Sequence, residues 1–210
     1  MNIRWKIAQA AEIHWWRRYL RTKDQAAYRV AKQTYWHRVL DQLEIKPQAG
    51  DHILDAGCGP AGIFMILNEN QVDAVDPLIN RYEYLPHFNK NDFLNVRFIN
   101  KSLELFNSES TYDIIFCMNA INHVADLHKS LDNLIAALAP GGRLVLAVDV
   151  HRHDFLKSIF RIIPGDILHP HQDSLEDYLQ LLKQRDGLVL KTICLKPGWI
   201  FDYFAIIATK

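Results

Sequence analysis

The segment Ile53 to Phe64, reading ILDAGCGPAGIF, constrains this chain more than any other. A short apolar run ends in Asp55, Gly57, Gly59 and Gly62 follow at G-x-G-x-x-G spacing, and apolar residues resume at Ile63, Met65, Ile66 and Leu67. That order predicts a strand, a tight glycine turn and a helix. Glycine suits such a turn because a side chain would hold the backbone away from a nucleotide-like ligand, and because such turns often require positive φ. The stretch reads as a cofactor cradle.

Several cofactor classes share the spacing, and the flanking sequence narrows them. Val72 to Pro77, VDAVDP, reads as a second buried strand ending in Asp76, which lies 19 residues after Gly57. An acid there suits a ribose diol, whose two hydroxyl donors need a bidentate acceptor. DAGCGPAG followed by VDP resembles motif I and the post-I acid of class I S-adenosylmethionine (SAM) methyltransferases. The resemblance implies that Asp55, Gly57, Cys58, Gly59, Asp76 and Pro77 hold SAM, with S-adenosylhomocysteine as the product. A nicotinamide-dependent oxidoreductase would keep the same glycines but has no need of Asp55 two residues before the first.

The resemblance extends closely over about residues 50 to 150. Val96 to Asn100 reads as a third strand, and in the resembling family the residues just beyond it line the adenine pocket. Here those are Lys101, Ser102 and Leu103, with Ser102 and Glu104 both available to read the base. Tyr112 to Val124 resembles the fourth strand, a buried run breaking into polar Asn119, Asn122 and His123 where cofactor meets acceptor; Asn119 is expected to hold the methionine end. Leu127 to Leu138 is amphipathic, and Pro140, Gly141 and Gly142 predict a helix stop and reversal before a fifth strand over Arg143 to Val150. Asn80 to Asp92 reads as a helix with a loose end. Ser174 and Asp177 have capping-box spacing, predicting a helix to about Lys183. Leu188 to Leu195 and Trp199 to Ala208 read as final strands turning at Pro197 and Gly198.

These elements predict an α/β fold: a Rossmann-like doubly wound seven-stranded sheet with a C-terminal antiparallel hairpin and an N-terminal helical lid. The expected division is a helical arm or lid over residues 1–46 and a SAM-binding domain over 47–210, with a cap segment at about 151–178. The arm reads as two or three helices rich in aromatic residues, most of which are expected to pack rather than touch ligand.

Composition adds boundaries. The chain has 210 residues, 49% hydrophobic and 23% charged, which suits one well-packed soluble domain. No stretch approaches the ~20 apolar residues of a membrane span, and Arg4, Lys6, Glu12 and His14 interrupt any signal-like apolar core, so a cytoplasmic location is the default. Three scattered cysteines suggest neither a disulfide framework nor a zinc site. The zero net charge hides an asymmetry: Met1 to Arg38 holds nine basic residues and two acids, and the rest is correspondingly acidic. Such an arm either complements the chain's own acidic body or attracts an anionic partner.

Methyl transfer to a hydroxyl or thiol benefits from a general base, and His123, His151 and His153 are the candidates because they follow strands four and five. His14 and His37 are placed to reach over from the arm. His151, His153, His169 and His171 form two H-x-H pairs, but no metal-binding pattern is completed and no metal is expected. The expectation is a SAM-dependent methyltransferase acting on a small-molecule acceptor. Amino methylation of nucleic acid is disfavoured, since Asn119, Ala120, Ile121 and Asn122 stand where that branch carries N/D/S-P-P-aromatic. Competing readings are a macromolecular acceptor drawn by the basic arm, a non-catalytic SAM-binding protein and an NAD(P)-dependent oxidoreductase. Oligomeric state is not legible.

Overall fold

The computed structural model describes residues 3–108, 111–151, 173–185, 188–199 and 201–210, with side chains of the first helix described from residue 9 onward. Seven runs of alternating or continuous apolar residues form strands: β1 His52–Ala56, β2 Gln71–Val75, β3 Val96–Ile99, β4 Tyr112–Met118, β5 Leu138–His151, β6 Leu188–Lys196 and β7 Phe201–Thr209. They make one sheet in the order β3-β2-β1-β4-β5-β7-β6. The first five are parallel, and β7 inserts antiparallel between β5 and β6. The chain reverses its direction of winding between β1 and β4, so ligand chemistry is expected at the carboxyl ends of those strands. The predicted doubly wound sheet and terminal hairpin are both present.

Both faces are covered, which is why the central strands are apolar on both sides. Side-chain alternation sends Ile53, Val72 and Ala74 to one face and Leu54, Val75 and Ile115 to the other. On the first face lie α1 (Ile3–Leu20) and α2 (Gln25–Leu43), whose Trp36, Val39 and Leu43 pack with Ile63 and Phe64. A single helical turn, α3 (Ile79–Tyr82), adds the fully buried Tyr82 to that layer. The opposite face is covered by α4 (Leu127–Ala136) and α5 (Leu175–Lys183) through Leu131, Leu134 and Leu182. Asp24 caps α2 by accepting from the Ala27 N–H at 2.8 Å, and Ser174 and Asp177 form the predicted reciprocal box at the start of α5. Among the described residues, no helix is long and apolar enough to cross a membrane.

Three local expectations are corrected. No α-helix follows the glycine turn; Gly59–Ala61 and Ile63–Ile66 are two short 3-10 turns. Residues 63–67 are apolar on every side, and α2 already fills the helical layer above them: Trp36 Nε1 donates to the Ala61 carbonyl at 2.9 Å and Gln33 Nε2 to that of Met65 at 3.3 Å. The helix expected over Asn80 to Asp92 reduces to α3 and a 3-10 turn at Lys90–Asp92, because Pro86 breaks the run. Pro140 to Gly142 do not precede the fifth strand but lie within it, as a bulge where the register passes from Tyr112↔Leu138 to Ile114↔Arg143. The arm is two helices.

Strand β2 carries a buried acid, Asp73, on the α4 and α5 face. Arg97 of β3 donates to it from Nε at 2.7 Å and from a terminal nitrogen, and the Tyr112 hydroxyl of β4 donates at 2.6 Å, so one carboxylate ties three strands together. Burial alone would raise its pKa, but the Arg97 and Tyr112 hydrogen bonds and the Arg97 charge hold it below the ordinary carboxylate value.

Candidate active site

The glycine turn leaves β1 at the switch point, and each glycine there has its own reason. Gly57 has φ of 73°, and a Cβ on it would lie 2.2 Å from the Cβ of Ala120, just past the end of β4. Gly62 has ordinary φ but no room: a Cβ would meet Asp55 Oδ2 at 2.3 Å and the Cys58 carbonyl at 2.5 Å. Gly59, at φ of 58°, has open space around it, bounded only by Trp16 Cζ2 at 4.0 Å. The Gly57 and Cys58 N–H groups both donate to the Val75 carbonyl, at 2.7 and 3.2 Å, bracing the turn against the end of β2.

Two acids face into this turn. Asp55 Oδ2 accepts from the Phe64 N–H at 3.0 Å. Asp76 Oδ2 accepts from the Gly59 N–H at 3.0 Å and its Oδ1 from the Leu78 N–H at 2.8 Å. Burial pushes both pKa values up to about 7; for Asp76 the next cause is the nearby Glu12, and Asp55 in turn feels Asp76. Burial and those two acids push the Cys58 thiol well up, so it stays protonated and is no nucleophile.

Beyond β3, Ser102 is buried and its carbonyl accepts from the Leu105 N–H at 3.1 Å. Leu103 packs into the core beneath α4, where its carbonyl accepts from Asn133 Nδ2 at 2.8 Å. Glu104 is committed elsewhere: its carboxylate caps the approach to α4 by accepting from the Ala125 and Asp126 N–H groups. Pro77 is half-buried beside Asp76.

At the end of β4, Asn119 turns into left-handed backbone at φ of 54°, a conformation asparagine tolerates better than most residues, and its N–H donates to the Ala147 carbonyl at 2.8 Å. Asn122 is buried with no hydrogen-bond partner for its Oδ1. His123 ends the 3-10 turn Ile121–His123, half-buried. His151 is the last residue of β5; its side chain, His153 and residues 152–172 of the expected cap lie outside the described residues. His14 and His37 are exposed on α1 and α2.

Sequence reasoning missed what α1 brings. Glu12 Oε1 accepts from the Tyr82 hydroxyl at 3.3 Å, and that hydroxyl also acts on Asp76. The signal was available: Glu12 is the only acid in the first 23 residues of a basic arm. Alongside, Trp16 and Tyr19 rings lie 6.1 Å apart, and Tyr19 lines a cavity of about 360 Å³ with Tyr28, Lys32 and Tyr35.

A glycine turn after β1, an acid after β2, a polar break after β4 and the 3-2-1-4-5-7-6 sheet coincide with one family, whose model, described as a methyltransferase domain, matches residues 26–189. The chain belongs to the methyltransferase-domain family. It is 26% identical over 151 residues to a ubiquinone biosynthesis O-methyltransferase from Rickettsia akari (strain Hartford), covering 71% of this chain and 57% of that protein. To a tRNA U34 carboxymethyltransferase from Campylobacter curvus (strain 525.92) it is 29% identical over 154 residues, covering 68% and 51%. The chain thus spans roughly half to three fifths of these relatives' lengths. The fold matches the crystal structure of Burkholderia thailandensis 1,6-didemethyltoxoflavin-N1-methyltransferase with bound 1,6-didemethyltoxoflavin and S-adenosylhomocysteine, at a TM-score of 0.66 and 18% identity over 100% of this chain and 91% of that one.

Proposed function

We propose that this protein is a SAM-dependent methyltransferase of a small-molecule acceptor. The observation that carries the reading is Asp76: a buried carboxylate at the mouth of an open glycine turn, held by two backbone N–H groups and by no cation among the described residues. The residues fit the cofactor. Asp76 accepts from the ribose diol, Asp55 sets the turn, Ser102 and Leu103 flank the adenine, Asn119 holds the methionine end, and the orphaned Asn122 oxygen can accept from an ammonium group. Relatives named for a ubiquinone-pathway O-methylation favour a small acceptor.

SAM supplies a methyl group on a sulfonium that departs as a neutral thioether. The protein is left with alignment and exclusion of water. Helix α1 closes one side of the cradle through Trp16, and His123 after the end of β4 takes a proton from the acceptor.

Calorimetric titration with SAM, S-adenosylhomocysteine and NADH tests the reading. Binding of the first two without NADH is expected; binding of NADH alone would replace it with an oxidoreductase. One second reading has support, a macromolecular acceptor, from the tRNA-directed relative and the basic arm. Neutralising Arg17, Arg18 and Arg21 would then weaken tRNA binding in a salt-dependent way; an unchanged salt response leaves the small-molecule acceptor.

A further inference from the structure

We propose that Glu12 is a second acceptor for the ribose diol of the cofactor, carried to the cradle by α1, so that seating the N-terminal helix and capturing the cofactor are one event. This rests on the cofactor reading above.

The cradle is short of hydrogen-bond donors. Each oxygen of Asp76 already takes one backbone N–H, and the side-chain donors nearby are the Tyr82 hydroxyl, with one proton to offer to Asp76 and Glu12 together, and Trp16, which donates to Glu12. No Lys or Arg ion pair with either carboxylate is present among the described residues. Burial favours the protonated form of each carboxylate; at Asp76 the charge of Glu12 adds to it, while at Glu12 the Trp16 and Tyr82 hydrogen bonds oppose it. A vicinal diol is the complement of that arrangement, since it brings two O–H donors and no charge. The placement of α1 agrees: Trp16, one helical turn beyond Glu12, closes on the space around Gly59 at 4.0 Å, and its side chain also hydrogen-bonds Glu12.

The test is a cycle between a side chain and a hydroxyl. Affinities of S-adenosylhomocysteine and of its 2′-deoxy and 3′-deoxy analogues are measured by calorimetry on the wild type, Glu12→Gln and Glu12→Ala. Both substitutions suit a helix, so α1 is kept. The expected result is a loss of about 10- to 100-fold for S-adenosylhomocysteine in Glu12→Ala, less in Glu12→Gln, and less than about twofold for the analogue lacking the hydroxyl that Glu12 accepts. Thermal unfolding without ligand should show Glu12→Ala at least as stable as the wild type. An equal loss on all three ligands, or a fall in unliganded stability that accounts for the lost affinity, would make Glu12 an anchor of α1 and overturn the proposal, as would unchanged affinity. A wild type that binds none of the three defeats the cofactor reading itself, a result distinct from these.

Discussion

Asp73, in the middle of β2, and Asp76, just past its end, stand three residues apart, both buried, and the fold treats them in opposite ways. Asp73 faces α4 and α5 and receives Arg97 and Tyr112; Asp76 faces α1 and receives two backbone N–H groups and a second acid, Glu12. The first is pulled below the ordinary carboxylate pKa and the second pushed up to about 7. Burial does not separate a structural acid from a binding acid, since both have it. What separates them is whether the fold itself supplies the counter-charge. Where it does, the acid is a staple; where it supplies another acid instead, the proposed reading assigns the missing donors to a ligand.

The largest effect that would break this contrast is on stability. Asp73→Ala removes the acceptor of Tyr112, whose ring is fully buried, and the partner of Arg97, so unfolding free energy should fall by about 3 kcal/mol with SAM affinity changed less than about twofold. Chemical denaturation and calorimetry read the two quantities. Asp76→Ala should do the converse. Affinity for SAM should drop by about 2 kcal/mol, roughly thirtyfold, while stability without ligand stays within about 1 kcal/mol of the wild type. Matching losses of stability in the two variants would erase the distinction.

A smaller effect sharpens the same contrast through pH. Asp55 and Asp76, with folded values raised to about 7, contribute stability that is full below about pH 4 and is lost as pH rises through about 7. Asp73, with a depressed value, contributes above about pH 4 and loses its contribution as pH falls below that. Of these three acids only the first pair titrates between about pH 5.5 and 8, so their share of the ligand-free protein's stability should fall by about 1 kcal/mol or more, and Asp55→Asn with Asp76→Asn should flatten the slope by that amount. SAM affinity should run the other way, rising with pH, because the ionised carboxylates are the better acceptors for hydroxyl donors. An affinity that does not vary with pH would mean that neither acid changes protonation on binding.

The strands and the glycine turn were legible because they depend on local signals, short apolar runs, glycines at fixed spacing and an acid at the end of a strand, and the doubly wound sheet followed from the family resemblance those signals carry. The segment after the turn was misread because Ile63 to Leu67 is apolar on every side, a pattern that fits a buried helix and a buried 3-10 turn equally. What decided between them was α2, some 30 residues upstream, already occupying the layer through Trp36. The same distance hid the partners of the acids. Asp73 and Asp76 look alike in the sequence, and their difference lies in Arg97, Tyr112 and Glu12, brought in by β3, β4 and α1. Glu104 shows the reverse error of position: it sits beside the expected adenine pocket in sequence, yet its carboxylate is spent on the backbone before α4.

The smallest effect concerns which partner makes Asp73 a staple. The Arg97 side chain is 66% exposed while that of Asp73 is 4% exposed, so the ion pair is screened at one end and buried at the other. Arg97→Lys keeps the charge but gives up the two-point fork, and a half-solvated pair of that kind contributes less than about 1 kcal/mol. If stability falls by that amount or less, the Tyr112 hydroxyl carries most of the satisfaction of Asp73 and Arg97 serves mainly to keep the acid ionised. A loss as large as that of Asp73→Ala would instead assign the joint to the fork, and β2 would be held to β3 more firmly than to β4. In either case SAM affinity should not change, because the opposite face of the sheet lies between this pair and the cradle.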